Sequence, residues 1–211
     1  MYVLDSSEFA SLDRRSVTTF IRYWSQFHRD GPKKLGTDNT IDYETELNLG
    51  AKLSRENIKN LLRWKAPRHL THVTLSGKNC GQSNAKVARV LAKQISLNRF
   101  RNGEIGESAM RDSLDKIFPT GIVYRVFVLH ICKPLVFPIA DQHVFRAFRY
   151  HTNRDLSDSW EKYDRYKEYF FSLASHLPTH KCPSKQLQEL KMLDSALMMF
   201  GQFLDTYGRT T

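Results

Sequence analysis

An almost wholly apolar stretch at residues 122–132 restricts the possible folds of this chain more than any other feature. The turn sequence Phe-Pro-Thr-Gly precedes it at 118–121, and Pro134 follows it closely. A helix at a protein surface is apolar on one face, whereas a helix that is apolar on all sides is buried. The stretch therefore predicts a buried central helix around which other helices pack.

Helical periodicity recurs through most of the remaining sequence. Residues 16–28 predict a first helix that Ser16 caps, with an apolar face formed by Phe20, Tyr23, Trp24 and Phe27. A second helix is expected from the Ser54 cap to a stop at Pro67, followed by a short extended piece at 71–75. Further helices are predicted at residues 83–101, 106–117, 141–150, 157–176 and 184–207.

This pattern predicts an all-α fold, a compact multi-helix domain that spans residues 1–211. Two lobes are the alternative, with residues 54–150 central and the termini packed together. No segment has the uncharged apolar length of a membrane span, and the N-terminus lacks the pattern of a signal peptide. The three widely spaced cysteines, Cys80, Cys132 and Cys182, are typical of a reducing compartment. We therefore expect a cytoplasmic, monomeric protein without membrane partners.

The chain is strongly basic, with 32 Lys and Arg against 22 Asp and Glu and a formal net charge of +10. Such an excess indicates a polyanionic partner, nucleic acid before an anionic membrane surface. Basic residues at spacings of three and four fall on one helix face, where a phosphate backbone relieves their mutual repulsion. A solvated helix face is the alternative. The two stripes are Lys52, Arg55, Lys59 and Arg63, and then Lys86, Arg89 and Lys93.

A predicted hairpin and a single acidic residue are the candidates for binding and catalysis in this sequence. Pro119, Thr120 and Gly121 form a tight turn between helices, whose outward N–H groups, with the following helix N-terminus, can bind a phosphate. Asp141 stands at the start of a later helix, where Asp is favoured as an N-cap, and Arg146, Arg149 and Arg154 follow it. A structural cap and a catalytic carboxylate are compatible interpretations, because a helix N-terminus stabilises negative charge.

This order of parts resembles the helix–hairpin–helix (HhH-GPD) base-excision DNA glycosylase superfamily, which includes endonuclease III and MutY. In that family a Pro/Gly hairpin precedes a buried helix and then a segment of the type Pro-Ile-x-Asp or Val-Asp-x-His-Val-x-Arg. Here the Asp segment is Pro-Ile-Ala-Asp-Gln-His-Val-Phe-Arg at 138–146, one residue closer to the hairpin than is usual. The likeness covers residues 106–150, and residues 193–201 resemble the last helix of the family more weakly.

The resemblance implies a DNA glycosylase, which flips a base out of duplex DNA and cleaves its N-glycosidic bond. Asp141 would be the catalytic carboxylate, which stabilises an oxocarbenium-like sugar and orients the attacking water. The hairpin, the start of the Asp141 helix and the second basic stripe would contact DNA. The expected DNA-binding residues are Pro119, Thr120, Gly121, Arg125, Gln142, His143, Arg146, Lys86 and Arg89.

Departures from the family pattern refine this expectation. Bifunctional members carry a lysine after the hairpin that forms a Schiff base. Val123 or Tyr124 stands at that position, which predicts a monofunctional enzyme that leaves an intact abasic site. Three cysteines cannot supply the four ligands of the family's iron–sulfur loop, so we expect no cofactor and no metal. The glutamate that protonates the base in adenine-type members has three candidates by position, Glu44, Glu46 and Glu56.

The excised base and the biological role stay open at this point. Small members without the iron–sulfur loop suit bulky modified bases, such as hydroxymethylated or glucosylated cytosines of phage DNA. Such a substrate would imply antiviral defence, whereas a damaged base would imply DNA repair by a nucleoid-associated enzyme. One alternative is a non-catalytic DNA-binding protein of the same fold, in which Asp141 is only a cap. Another is a helical domain that binds RNA or a membrane surface.

Overall fold

The chain folds into two compact units. The terminal unit comprises Met1–Arg29 and Pro134–Thr211, and the inserted unit comprises Asp30–Lys133. The structure is a computed structural model that describes residues 14–28, 33–34, 40–65, 85–153 and 157–207. The extended piece predicted at 71–75 lies outside the described residues, as do Cys80, Ser83 and Arg154.

The inserted unit is built around α7 (Ile122–Cys132), which confirms the predicted buried central helix. It packs against α3 (Arg55–Lys65), α5 (Gln94–Arg101) and α6 (Glu107–Ile117). Phe127 of α7 stacks on Trp64 of α3, with ring centroids 6.2 Å apart. The other described elements of this unit are the antiparallel pair β1 (Lys33–Lys34) and β2 (Thr40–Ile41), then α2 (Tyr43–Leu47) and α4 (Ala85–Ala92).

The helix predicted at 83–101 is wrong in one respect, because the chain breaks at Lys93 into α4 and α5. Lys93 has φ −94° and ψ 7°, and its N–H donates to the Val90 carbonyl three residues back. This tighter turn rotates the apolar positions of α5 relative to those of α4. Val87 of α4 and Leu97 of α5 are buried, whereas Ile95 at the start of α5 is 77% exposed.

The terminal unit is organised by one long helix, α10 (Pro183–Tyr207). It contacts α1 (Arg14–Ser25), α8 (Gln142–Thr152) and α9 (Trp160–Ala174). Apart from the β1–β2 pair, the regular structure of the described residues is helical, which confirms the all-α prediction. The predicted break between the last two helices is also confirmed, since residues 175–182 separate α9 from α10.

The core face of α1 differs in part from the prediction. The helix begins two residues before Ser16, which therefore lies in its first turn rather than capping it. Val17 and Ile21 are buried, whereas Tyr23 and Phe27 are 54% and 48% exposed. Phe20 and Trp24 are partly buried and pack on the Phe200 ring of α10, with ring centroids 5.4 Å and 5.2 Å apart, so the predicted aromatic face is confirmed at these two positions.

Local capping signals account for several helix starts. Ser54 caps α3 as predicted, since its Oγ accepts the Asn57 N–H at 3.0 Å. The sequence predicted a helix from residue 106, but α6 begins at Glu107 and Gly106 is its N-cap. Asp42 caps α2, a helix of five residues that the periodicity did not predict because it is too short to show a repeat.

Candidate active site and nucleic-acid interface

Residues 118–121 form the tight hairpin between α6 and α7 that the sequence predicts. Gly121 adopts φ 89° and ψ 77°, a left-handed conformation that strains any residue with a Cβ atom. Phe118 is fully buried at the base of the hairpin, whereas Pro119 and Thr120 are exposed at its tip. The first N–H groups of a helix lack acceptors within it, so this tip and the start of α7 suit an anion.

Arg125 fixes the hairpin from within. Its Nε donates to the Phe118 carbonyl at 2.7 Å and its Nη2 to the Pro119 carbonyl at 2.8 Å. Its Nη1 pairs with Asp115 Oδ1 at 3.0 Å, and only 12% of the side chain is exposed. These bonds hold the backbone of the hairpin, and the DNA contact expected of Arg125 stays a prediction.

Both predicted basic stripes lie in the inserted unit, but each has one member outside its helix. Lys52 precedes α3, and Lys93 lies at the break between α4 and α5. Arg55 of α3 donates through Nη1 to the Leu91 carbonyl of α4 at 3.3 Å. Lys59 pairs with Glu56 at 3.0 Å, which reduces the charge that the first stripe presents. The exposed members of the two stripes are Lys52, Arg55, Lys86, Arg89 and Lys93.

The excess positive charge is concentrated in the inserted unit. Asp30–Lys133 contains 18 Lys and Arg against 10 Asp and Glu, a formal net charge of +8. The terminal unit contains 14 against 12, a formal net charge of +2. The unit with the hairpin and the stripes is therefore the one whose charge suits a phosphate backbone.

Asp141 is the N-cap of α8, as the sequence predicts. Its Oδ1 accepts the backbone N–H groups of His143 at 2.8 Å and Val144 at 3.1 Å, and the residue is partly exposed. These bonds hold the carboxylate in one orientation at the positive end of a helix. A carboxylate fixed in this way can stabilise a developing cation or accept a proton from a bound water.

The residues that lead into Asp141 are buried and lack regular secondary structure; residues 137–140 are termed the lead-in segment. The Tyr163 hydroxyl donates to the Pro138 carbonyl at 3.2 Å, and the Tyr166 hydroxyl donates to the Ile139 carbonyl at 3.0 Å. These hydroxyl bonds were not predicted from the sequence. The three-residue spacing of the two tyrosines, which puts both on one face of α9, was the available signal.

The first turn of α8 is packed closely against α10. A Cβ atom at Gly201 would lie 1.9 Å from the His143 carbonyl oxygen, so only glycine permits this approach. Arg146, which the sequence predicted to contact DNA, donates through Nη1 to the Gly201 carbonyl at 3.0 Å. Its Nη2 pairs with Asp205 at 3.0 Å. The Arg146 guanidinium is thus engaged with α10 and positions α8, and neither Gly201 nor this role was evident from the sequence.

Gln142 and His143 lie beside Asp141 at the start of α8. Gln142 is exposed and His143 is partly exposed. Arg146 Nη1 lies 3.1 Å from His143 Nδ1. The other ring nitrogen, His143 Nε2, lies 3.4 Å from the Gln142 side-chain amide nitrogen. The DNA contacts expected of Gln142 and His143 stay predictions.

The three glutamates considered as proton donors have different surroundings. Glu46 accepts a hydrogen bond from the Asn57 side-chain amide at 2.8 Å and from the Asn60 amide at 2.9 Å, one on each carboxylate oxygen. Glu44 and Glu56 are exposed. Because both of its oxygens accept amide hydrogen bonds, Glu46 ties α2 to α3, and this structural role does not require an acid.

In the part of the chain that the structure describes, no group of three or more His, Cys, Asp or Glu side chains could hold a metal ion. Burial raises the pKa of the Cys132 thiol to about 12, which suits a core residue rather than a nucleophile. Cys182 is exposed.

No protein-family model, curated protein or solved structure matches this chain. Among the described helices, none combines the length and the apolar character needed to cross a membrane.

Proposed function

We propose that this protein is a monofunctional DNA glycosylase, which flips a damaged or modified base out of duplex DNA and excises it. The observation that carries the proposal is the geometry of Asp141, whose Oδ1 accepts two backbone N–H groups at the start of α8. The order of hairpin, buried helix and Asp segment, which resembles the HhH-GPD superfamily, supplies the reaction class.

The inserted unit supplies the DNA backbone contacts in this proposal. Its hairpin tip at Pro119 and Thr120 and its exposed stripe residues Lys86 and Arg89 contact phosphates. Each phosphate that a basic side chain neutralises releases counterions, so binding weakens steeply with salt. Gln142 and His143 add contacts near the reacting nucleotide.

The chemistry assigned to Asp141 is hydrolysis at C1′ of the flipped nucleotide. The N-glycosidic bond breaks with its electron pair on the departing base, and Asp141 stabilises the positive charge that develops on the sugar. A water adds its oxygen to C1′ and gives a proton to Asp141, while the base takes a proton from solvent. Val123 and Tyr124 offer no amine for a Schiff base, so the product is an intact abasic site.

A second candidate is a non-catalytic DNA-binding protein of the same fold. It is favoured by one specific observation, since the two bonds that Asp141 accepts are those of an ordinary helix cap. The two functions share the basic inserted unit and differ only in whether Asp141 acts on DNA.

One experiment separates these functions. The protein is incubated with duplexes that carry damaged, mispaired or modified bases and with phage genomes containing hydroxymethylated or glucosylated cytosine, and alkali and heat then convert abasic sites to strand breaks. The glycosylase predicts breaks at one class of base, and breaks in the phage genomes alone would assign the role to antiviral defence. Tight, salt-sensitive binding without breaks on any substrate would establish the non-catalytic protein instead. Preferential binding to RNA or anionic vesicles over duplex DNA would contradict both.

A further inference from the structure

Two tyrosines of α9 bury their hydroxyl groups in the protein core, where a phenylalanine would have no hydroxyl group to desolvate. Tyr163 and Tyr166 are both fully buried. A buried hydroxyl loses its hydrogen bonds to water and must find a partner in the protein. Both hydroxyls find one, and both partners are backbone carbonyls of the lead-in segment. The hydroxyls therefore have a function that the aromatic rings alone do not fulfil.

The carbonyls concerned belong to consecutive residues immediately before the reacting side chain. Pro138 and Ile139 are buried, and their segment forms no helix or strand whose hydrogen bonds could fix it. Proline also lacks an N–H group, which removes one backbone donor from this segment. The position of Asp141 depends on this segment because only Ala140 separates Ile139 from it.

The charges around Tyr166 keep its hydroxyl a donor. Burial raises the pKa of Tyr166 well above its ordinary value, and the negative charges of Asp194 and Asp141 and the neighbouring Tyr163 act in the same direction. The hydroxyl is therefore protonated at neutral pH. Its bond to the Ile139 carbonyl is accordingly available whenever Asp141 acts.

We propose that Tyr163 and Tyr166 are positioning residues for Asp141, whose two hydroxyls hold the lead-in segment so that the carboxylate meets C1′ in one fixed orientation. The inference rests on the proposed function, since it assigns the hydroxyls to the same reaction. The capping bonds to His143 and Val144 fix Asp141 from the side of α8, and the two tyrosines fix it from the side of the preceding chain.

Tyr169 provides a matched control within the same helix. It follows Tyr166 by three residues, it is 5% exposed, and its hydroxyl is hydrogen-bonded to His151 Nδ1 rather than to the lead-in segment. Tyr169→Phe therefore removes a buried hydroxyl of the same kind without removing a contact to the lead-in segment. If Tyr163→Phe or Tyr166→Phe differs from Tyr169→Phe, the difference measures how the hydroxyl positions Asp141. The general cost of losing a buried hydroxyl is common to all three variants.

The test compares Tyr163→Phe, Tyr166→Phe, the double variant and Tyr169→Phe by two independent measurements. The first is amide hydrogen exchange at His143 and Val144, whose N–H groups bind the Asp141 carboxylate. We expect the double variant to exchange about tenfold faster at these two amides, and Tyr169→Phe to remain within about twofold of the wild type. The single variants should fall between these values, so the comparison holds even if the double variant does not fold.

The second measurement is the single-turnover excision rate at saturating DNA, on whichever duplex of the panel yields abasic sites. We expect this rate to fall about tenfold in the double variant with an unchanged Kd for the duplex, and to be unaffected in Tyr169→Phe. Unchanged amide exchange in all variants would overturn the positioning role, whatever the enzyme does. Faster exchange with an unchanged excision rate would also overturn it. If the wild type excises nothing, the proposed function fails and with it the role in catalysis, and the exchange rates then decide only whether the hydroxyls hold Asp141 in place.

Discussion

The two units differ in formal net charge and in the polar groups that their proposed functions use. In the inserted unit, with its formal net charge of +8, basic side chains such as Lys86 and Arg89 extend to solvent. In the terminal unit, with +2, Arg146 and the α9 tyrosines direct their donors to backbone carbonyls of the same unit. Binding a polyanion requires many exposed charges that tolerate replacement, whereas a hydrolytic carboxylate requires one side chain held still.

Two glycines show the same contrast between an exposed surface in the inserted unit and close packing in the terminal unit. Gly121 gives the exposed hairpin of the inserted unit a left-handed turn, and a Cβ atom there would meet only the Tyr124 ring, at 3.5 Å. Gly201 has an ordinary helical backbone but lies against the His143 carbonyl. The first glycine shapes a surface, and the second permits the close packing that fixes α8 and Asp141.

The largest effect on stability is expected from Gly201→Ala. The added methyl group must displace the first turn of α8, because it would lie 1.9 Å from backbone rather than from a flexible side chain. Overpacking of this kind costs about 3 kcal/mol in the free energy of unfolding, measured by chemical denaturation. Gly50→Ala is the control, since a Cβ atom there meets nothing within 4 Å. Equal stabilities of the two variants would show that α8 is not closely fixed.

A smaller effect is expected from pH, and it belongs to the terminal unit alone. Burial lowers the pKa of His151 from 6.5 to about 4, so between these values the unfolded chain binds more protons than the folded chain. The contribution of His151 to the free energy of unfolding is therefore fully present above pH 6.5 and is lost progressively as the pH drops toward 4.

Denaturation of the wild type and of His151→Gln at pH 7 and pH 4.5 measures this contribution. The variant should lose less stability on acidification, because it lacks the group that titrates. Amide exchange in α7 of the inserted unit should respond to pH equally in both proteins, provided that the units unfold independently. The same acid sensitivity of stability in wild type and variant would contradict the assignment to His151.

The smallest effect in free energy concerns the basic stripes. Replacing Lys86 and Arg89 by alanine should reduce affinity for duplex DNA about tenfold at moderate salt. The slope of log K against log salt should become shallower by about 2, because two phosphate contacts are lost. The matched control replaces Lys181 and Lys185, two exposed lysines of the terminal unit, and should leave affinity and slope unchanged. An equal loss of DNA affinity in the two double variants would show that basic residues of both units contribute alike to binding.

Features set by local sequence could be predicted, and features set by contacts distant in sequence could not. The apolar run of α7 and the caps at Ser54 and Asp141 are local, and each is present in the structure. The break at Lys93 is not marked by Gly or Pro, so the pattern ran through it. Arginine side chains show their charge in a sequence but not their direction, so the bonds of Arg125 and Arg146 to backbone carbonyls were not predicted.

The close contact of Gly201 and the hydroxyl bonds of Tyr163 and Tyr166 depend on how helices pack. From the sequence alone, Gly201 is a destabilising residue in the middle of a long helix, and its contact with α8 is not visible. The tyrosines read as ordinary core aromatics, because nothing in α9 identifies the carbonyls that they bind. The position of the candidate carboxylate was therefore predictable, but the groups that fix it were not.

Asp141→Asn tests the assignment of chemistry to this carboxylate most directly. Asparagine caps a helix about as well as aspartate, so α8 should keep its start and the protein its stability. The single-turnover excision rate on a duplex that the wild type cleaves should fall about 10²- to 10⁴-fold, with the Kd for that duplex within about twofold of the wild type. An excision rate equal to that of the wild type would contradict the catalytic role of Asp141 and leave it as a helix cap.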